Sequence, residues 1–312
     1  MAKSAELVTT PLQTTRQRLS RQERQNLRNG LLFAAPAIIG FLLFVAYPIA
    51  ASVYYSFTSY SILQPGHWVG LENYRELLTE DPIFYTALFN TFYMAVVTIP
   101  LSIVLAMGLA MLLNLKVRGQ SVYRTIFYLP TIVPFVASSL LWLWIFNPQY
   151  GLINTLLWYV GIQGPGWLGD PAWSKPALVI MLLWGVGNWM IIYLAGLQDV
   201  PQELYEAAEI DGARWWAKTR HLTLQFMSPY ILYSLILQLI GIFQYFTQPQ
   251  VMTQGGPVDS TRVYALYLYD MAFRFFRMGY ASAMAWLLFM LVVVLTVIIF
   301  KSSARRVYYA GQ

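Results

Sequence analysis

FYTALFNTFYMAVVTIPLSIVLAMGLAMLL, residues 84–113, runs for 30 positions without an Asp, Glu, Lys or Arg. A helix crossing roughly 30 Å of hydrocarbon needs about 20 apolar residues, so this stretch alone is long enough to span a bilayer. Five others read the same way: Leu31–Phe57, Thr125–Phe146, Pro176–Leu197, Tyr230–Phe246 and Tyr280–Phe300. Tyr230–Phe246 is the shortest and is interrupted by Gln238, Gly241 and Gln244. The whole chain agrees, with 58% hydrophobic and 11% charged residues in 312, against about 25% charged in soluble domains. The reading is an all-α integral membrane protein with six transmembrane helices in 30–300, flanked by polar tails at 1–29 and 301–312.

Lysine and arginine positions orient the spans, because positive charge is retained on the cytoplasmic side. The amino-terminal tail carries Lys3, Arg16, Arg18, Arg21, Arg24 and Arg28. Lys116, Arg118 and Arg124, then Arg214, Lys218 and Arg220, then Lys301, Arg305 and Arg306 fall on the same side, which makes 15 of the 20 basic residues. The other connections hold only Arg75, Lys175, Arg262, Arg274 and Arg277. Both termini are therefore expected in the cytoplasm of a multi-pass plasma (inner) membrane protein. The net charge of +6 is then a topology signal, which argues against a nucleic-acid partner. The apolar run from Leu31 is too long for a cleaved secretory signal and reads as a retained first span. Gly151–Trp173 reads as a short amphipathic helix on the outer surface, ending in the turn Gly164-Pro165-Gly166. Trp142, Trp144, Trp158, Tyr159, Trp167 and Trp173 suit an interfacial belt.

Chemistry is sparse. There is no cysteine and only two histidines, His67 and His221, so no metal site is expected. The chain contains no phosphate-cradling Gly-x-x-x-x-Gly-Lys loop, no Gly-x-Ser-x-Gly elbow and no His-Glu-x-x-His pair. Neither an enzyme nor a cofactor is implied. An ion-coupled carrier keeps an ionisable group at membrane depth, and these spans nearly lack carboxylates, so energy for uphill transport would come from a partner.

The stretch Asp199-Val-Pro-Gln-Glu-Leu-Tyr-Glu-Ala-Ala-Glu-Ile-Asp-Gly-Ala213 lies in the connection 198–228. Asp199 can cap a helix, with Pro201 near its first position and Glu203 in its first turn. Leu204, Ala207 and Ala208 share one shallow face, and Gly212 supplies a left-handed stop. A short, sharply ended helix with small residues on its face is built to be gripped by another protein.

These residues resemble the EAA loop of membrane subunits of binding-protein-dependent ABC importers: Glu206-Ala207-Ala208, two residues, Asp211-Gly212-Ala213, and Leu224 downstream. Gln225 departs from the proline that usually follows. Gly70-Leu-Glu-Asn-Tyr74, Ala87-Leu-Phe-Asn-Thr91, Thr253-Gln-Gly-Gly-Pro257 and Gly279-Tyr-Ala-Ser-Ala283 are similar to the sugar-importing branch. The larger membrane subunit of maltose-type transporters is the architecture most resembled, here without its additional amino-terminal spans and large outer loop. The resemblance implies the type I ABC importer permease fold and a second, different membrane subunit. It also implies two ATP-binding subunits, an extracytoplasmic solute-binding protein and a sugar or related polyol or glycerol phosphate as solute. Glu206 would pair with the ATPase, while Ala207, Ala208, Asp211, Gly212 and Ala213 shape the docking element.

Two stripes mark a candidate solute path. Gln238, Gly241, Ile242 and Tyr245 follow i, i+3, i+4, i+7 spacing, as do Met181, Trp184, Gly185 and Asn188. Amides bond hydroxyls and flat rings cover sugar C–H faces. The resemblance aligns both stripes with sugar-contacting positions of the maltose-type subunit. The same glycines and amides equally suit helix–helix packing. Asp270 and Arg274 are spaced for a surface ion pair, and Asp170 and Lys175 for an outer rim. The competing function is a stand-alone ion-coupled secondary carrier.

Overall fold

The computed structural model describes residues 20–115 and 118–303; Lys3, Arg16, Arg18, Lys116, Arg305, Arg306 and most of both tails lie outside them. The described residues are helical throughout, broken by turns and two isolated β-bridges. The chain divides into two compact units, one up to Ser52 and one from Val53.

In the first unit, α1 (Arg21–Phe41) begins at a capping box. Ser20 Oγ accepts from the Glu23 N–H (3.2 Å) and the Glu23 carboxylate accepts from the Ser20 N–H (2.7 Å), so two orphan donors are satisfied reciprocally. A π-turn, Leu42–Ala46, leads into α2 (Tyr47–Ser56), in which the division falls. None of α1 is buried, and apolar side chains such as Phe33 and Phe44 stand fully out. The run Leu31–Ala46 is free of charged residues and suits an apolar solvent.

The second unit opens with α3 (Glu72–Thr79) and the long α4 (Pro82–Asn114). Asp81 caps α4 from two N–H groups, Ile83 at 2.9 Å and Phe84 at 3.1 Å, with Pro82 at the first position. Then come α5 (Gln120–Tyr128), a 3₁₀ turn at Leu129–Ile132 and α6 (Phe135–Ile145). The expected span Thr125–Phe146 is thus not one rod: its two parts meet at 100°. Pro134 forces Val133 out of the helical region (ψ 127°), and neither Pro130 nor Pro134 can donate to the helix ladder, although Leu129 before Pro130 stays helical.

Next, α7 (Leu152–Tyr159) is shorter than the helix expected over Gly151–Trp173. Gly161 turns left-handed (φ 77°), and the remaining segment folds back on Asn154, which accepts from Trp167 Nε1 (2.6 Å) and donates to the Pro165 carbonyl (3.2 Å). α8 (Pro171–Trp184) starts from an Asp170 cap and gives way at Gly185–Val186 to α9 (Gly187–Gln198), with a bend of 46°. At Gly187 a Cβ would collide with the Phe127 carbonyl, so only glycine lets the start of α9 lie against the end of α5.

The 198–228 connection holds α10 (Gln202–Ile210), α11 (Trp215–Lys218), a π-turn at Thr219–Thr223 and α12 (Leu224–Phe226). α13 (Ser228–Phe243), α14 (Thr247–Met252), α15 (Tyr264–Tyr269), a π-turn at Asp270–Arg274 and α16 (Met278–Ser303) complete the chain. Among the described residues, four helical runs are long and apolar enough to cross a bilayer, and up to six when each bent pair is counted as one span. Side chains of α4, α6, α8, α13 and α16 form one core, among them Met94, Phe146, Leu178 and Phe243. A second cluster joins α4 to α9 through Ala106, Met190 and Tyr193.

Candidate functional site

Both breaks open onto one place. The α5–α6 bend, the α8–α9 bend and the end of α13 enclose a cavity of about 590 Å³. All eight residues of the two stripes line it: Met181, Trp184, Gly185, Asn188, Gln238, Gly241, Ile242 and Tyr245. The helical spacing that selected them holds only in part. Trp184 and Asn188 lie on opposite sides of the Gly185–Val186 break, and Tyr245 follows the end of α13 at Phe243. The residues converge because the helices stop there.

Several of these groups have no partner within the chain. Gln238 is 8% exposed, and its Nε2 is buried without a hydrogen bond; the Tyr245 hydroxyl and Thr98 Oγ1 share that condition. Buried polar groups are normally paired, so unpaired ones on residues that line a cavity mark a place where a small rearrangement would offer them to a ligand's oxygens. Gly241 is also informative. A Cβ there would meet no atom of this chain within 4 Å, whereas a glycine that lets helices pack would show a collision, as Gly187 and Gly279 do. Thr98 and Ser102 on α4, Thr131, Ser138, Trp189 and Gln248 also line the cavity and were missed. Thr98 and Ser102 are the only hydroxyls four apart in an otherwise apolar middle of α4, which is the signal that could have found them.

On the connection 198–228, α10 ends as its sequence demands. The Ala213 N–H reaches the Ala208 carbonyl (2.8 Å), the Gly212 N–H reaches Glu209 (3.0 Å), and Gly212 is left-handed at φ 74°. This is the two-bond glycine stop. Asp199 does not cap α10, whose cap position is Pro201; its carboxylate accepts from the Tyr230 hydroxyl instead (2.6 Å), tying the connection to α13. Lys218 bonds Glu209 (2.7 Å) and Tyr205 bonds Thr223 (3.0 Å), which fixes α10 against the following turns. Glu206, Ala207, Asp211 and Gly212 are exposed, Ala208 and Ala213 half-buried, and Ile210 is 88% exposed, as are the rings of Trp215 and Trp216 in large part.

At the far end of the unit, Asp81 also accepts from the hydroxyls of Tyr267 (2.5 Å) and Tyr280. Burial, then the Asp81 carboxylate, pushes the Tyr267 phenol up from its ordinary pKa. Arg274 does pair with Asp270 (3.2 Å), but Asp270 is 1% exposed and is also held by Arg262 at 2.6 Å, which in turn pairs with Asp259, so the expected surface pair is part of a four-residue network built on a buried carboxylate. A carboxylate between two guanidiniums can be buried where a lone one cannot. Lys175 is committed to Asn90 (3.0 Å) and lies over the Phe89 and Tyr93 rings.

Comparison with known proteins bears on what this arrangement serves. The sequence signature of the "Binding-protein-dependent transport system inner membrane component" family matches residues 98–309. The probable ABC transporter permease protein YesP of Bacillus subtilis is 40% identical over 94% of this chain and 96% of its own. The lactose transport system permease protein LacF of Rhizobium radiobacter is 37% identical over 89% and 95%. A bacterial ABC transporter involved in the import of the acidic polysaccharide alginate contains a chain 25% identical, with a TM-score of 0.80, covering 92% of this chain and 99% of that one. With six apolar passes, a glycine-stopped helix in the 198–228 connection and this breadth of match, the chain belongs to the binding-protein-dependent inner membrane components, the permease subunits of ABC importers.

Proposed function

We propose that this permease subunit carries a sugar through the cavity at the two helix breaks and is driven through the 198–228 connection by a separate ATPase. The observation that carries the reading is that three residues lining the cavity, Gln238, Tyr245 and Thr98, each hold a buried polar atom with no partner in the chain, beside Trp184, Asn188 and Trp189 in the same lining. Amide and hydroxyl groups exchange hydrogen bonds with sugar hydroxyls, and indole faces cover C–H surfaces. The lactose transport name of LacF supports a sugar.

The assembly pairs this chain with a second, different membrane subunit, two ATP-binding subunits and an extracytoplasmic solute-binding protein. Segment 30–300 spans the membrane, and the tails and the 198–228 connection face the cytoplasm, where 15 of the 20 basic residues lie. In the connection, α10 offers the ATPase an exposed Glu206 and a small face at Ala207 and Ala208, while Asp211, Gly212 and Ala213 form the stop that fixes its direction. ATPase closure would move α10, and the Asp199–Tyr230 bond would pass that motion to α13 and the cavity wall.

Reconstituted with its partners, Glu206→Lys should leave the assembled complex hydrolysing ATP while uptake falls at least about tenfold, since a repelled contact costs more than about 1.4 kcal/mol. Gln238→Leu and Asn188→Leu should shift uptake selectivity at normal abundance. Undiminished, unaltered uptake by all three variants would overturn both roles.

A further inference from the structure

The wall that this chain gives the cavity carries no charge. Every lining residue comes from one of four segments, 82–114, 125–169, 176–198 and 222–258, and none of these contains an Asp, Glu, Lys or Arg. Its polar groups are amides, hydroxyls and indole N–H groups, such as Asn188, Gln238, Gln244, Tyr245, Thr98 and Trp184.

Several charged residues outside the lining are occupied elsewhere. Lys175 is held by Asn90 under two aromatic rings, Asp199 by Tyr230, and Asp259 and Asp270 by Arg262. Arg124, whose Nε is buried without a partner, lies one turn before Tyr128 on α5 and is not among the lining residues. The helix ends at the cavity also offer little net field. The carboxyl end of α8 abuts the amino end of α9, and the carboxyl end of α13 precedes the amino end of α14, so partial charges of opposite sign sit together.

A carboxylate entering such a space would lose water without meeting a counter-ion, which is costly. A hydroxyl loses little, because amides and hydroxyls return both the donor and the acceptor it had in water. We infer that the solute is an uncharged saccharide, and that acidic sugars are rejected at this wall for want of a positive partner. The fold does not impose this, since an importer of the same fold handles an acidic polysaccharide; the uncharged lining of this chain is what argues for it. The inference rests on the cavity being the solute path.

The test uses the complete importer, both membrane subunits, ATPases and binding protein, in vesicles. It is exposed to photoactivatable mono- and disaccharides of glucose and galactose, each paired with its C6-uronate. Neutral probes should label peptides covering 181–189 or 237–248, and each uronate should label them at least about tenfold less, the discrimination expected when an ion is left unpaired. Gln244 is an exposed lining residue, so Gln244→Arg keeps the fold while adding a counter-ion, and it should narrow that ratio severalfold. A uronate labelling these peptides as strongly as its neutral partner would overturn the inference and leave the path standing. If no saccharide of either kind labels them, the path reading itself falls and takes this inference with it.

Discussion

Gly212 and Gly241 both have open space around them, yet their backbones ask for different things. Gly212 is left-handed at φ 74°, where any Cβ costs about 1 kcal/mol or more. Gly241 is an ordinary helical residue whose missing side chain leaves room in the cavity. Gly212→Ala should therefore preserve abundance but loosen the stop of α10. Uptake should fall severalfold while ATP hydrolysis by the complex persists, and Gly212→Asn, which tolerates the left-handed region, should recover most of it. Equal loss in both variants would mean that space, not backbone angle, makes glycine necessary there. Asp270 shows the limit of residue-level reading. Its spacing to Arg274 was visible in the sequence, but burial and the ion pair with Arg262 depend on the π-turn at Asp270–Arg274, which no local pattern announces.

At the scale of elements, the spans were legible and their breaks were not. Hydropathy is a sum over about 20 residues, so Thr125–Phe146 scores as one span although Pro130 and Pro134 turn it through 100°. The residues of both stripes were selected by assuming an unbroken helix, and they meet for the opposite reason: Gly185–Val186 and the end of α13 interrupt the helices beside the same cavity. The stop at Gly212 was readable because a glycine cap is local chemistry, while Asp199 was misassigned because its partner, Tyr230, is 31 positions away. The α8–α9 break depends on Gly187 lying against the Phe127 carbonyl. Gly187→Val forces those two elements apart, and overpacking of this kind costs about 1–3 kcal/mol. The purified complex should melt several degrees lower. An unchanged melting temperature would show that α5 and α9 do not depend on that close approach.

For the molecule as a whole, the proposed solute path with its uncharged lining and the proposed docking helix α10 belong to one subunit. The family places it among transport subunits. The absence of native cysteine permits the most direct test of the central claim, that solute passes through this cavity. In the reconstituted importer, Gly241→Cys should transport until a bulky thiol reagent is added, because the side chain then fills the cavity. The account predicts that modification abolishes uptake and that excess transported sugar slows the modification. Full uptake after complete modification at residue 241 would contradict it.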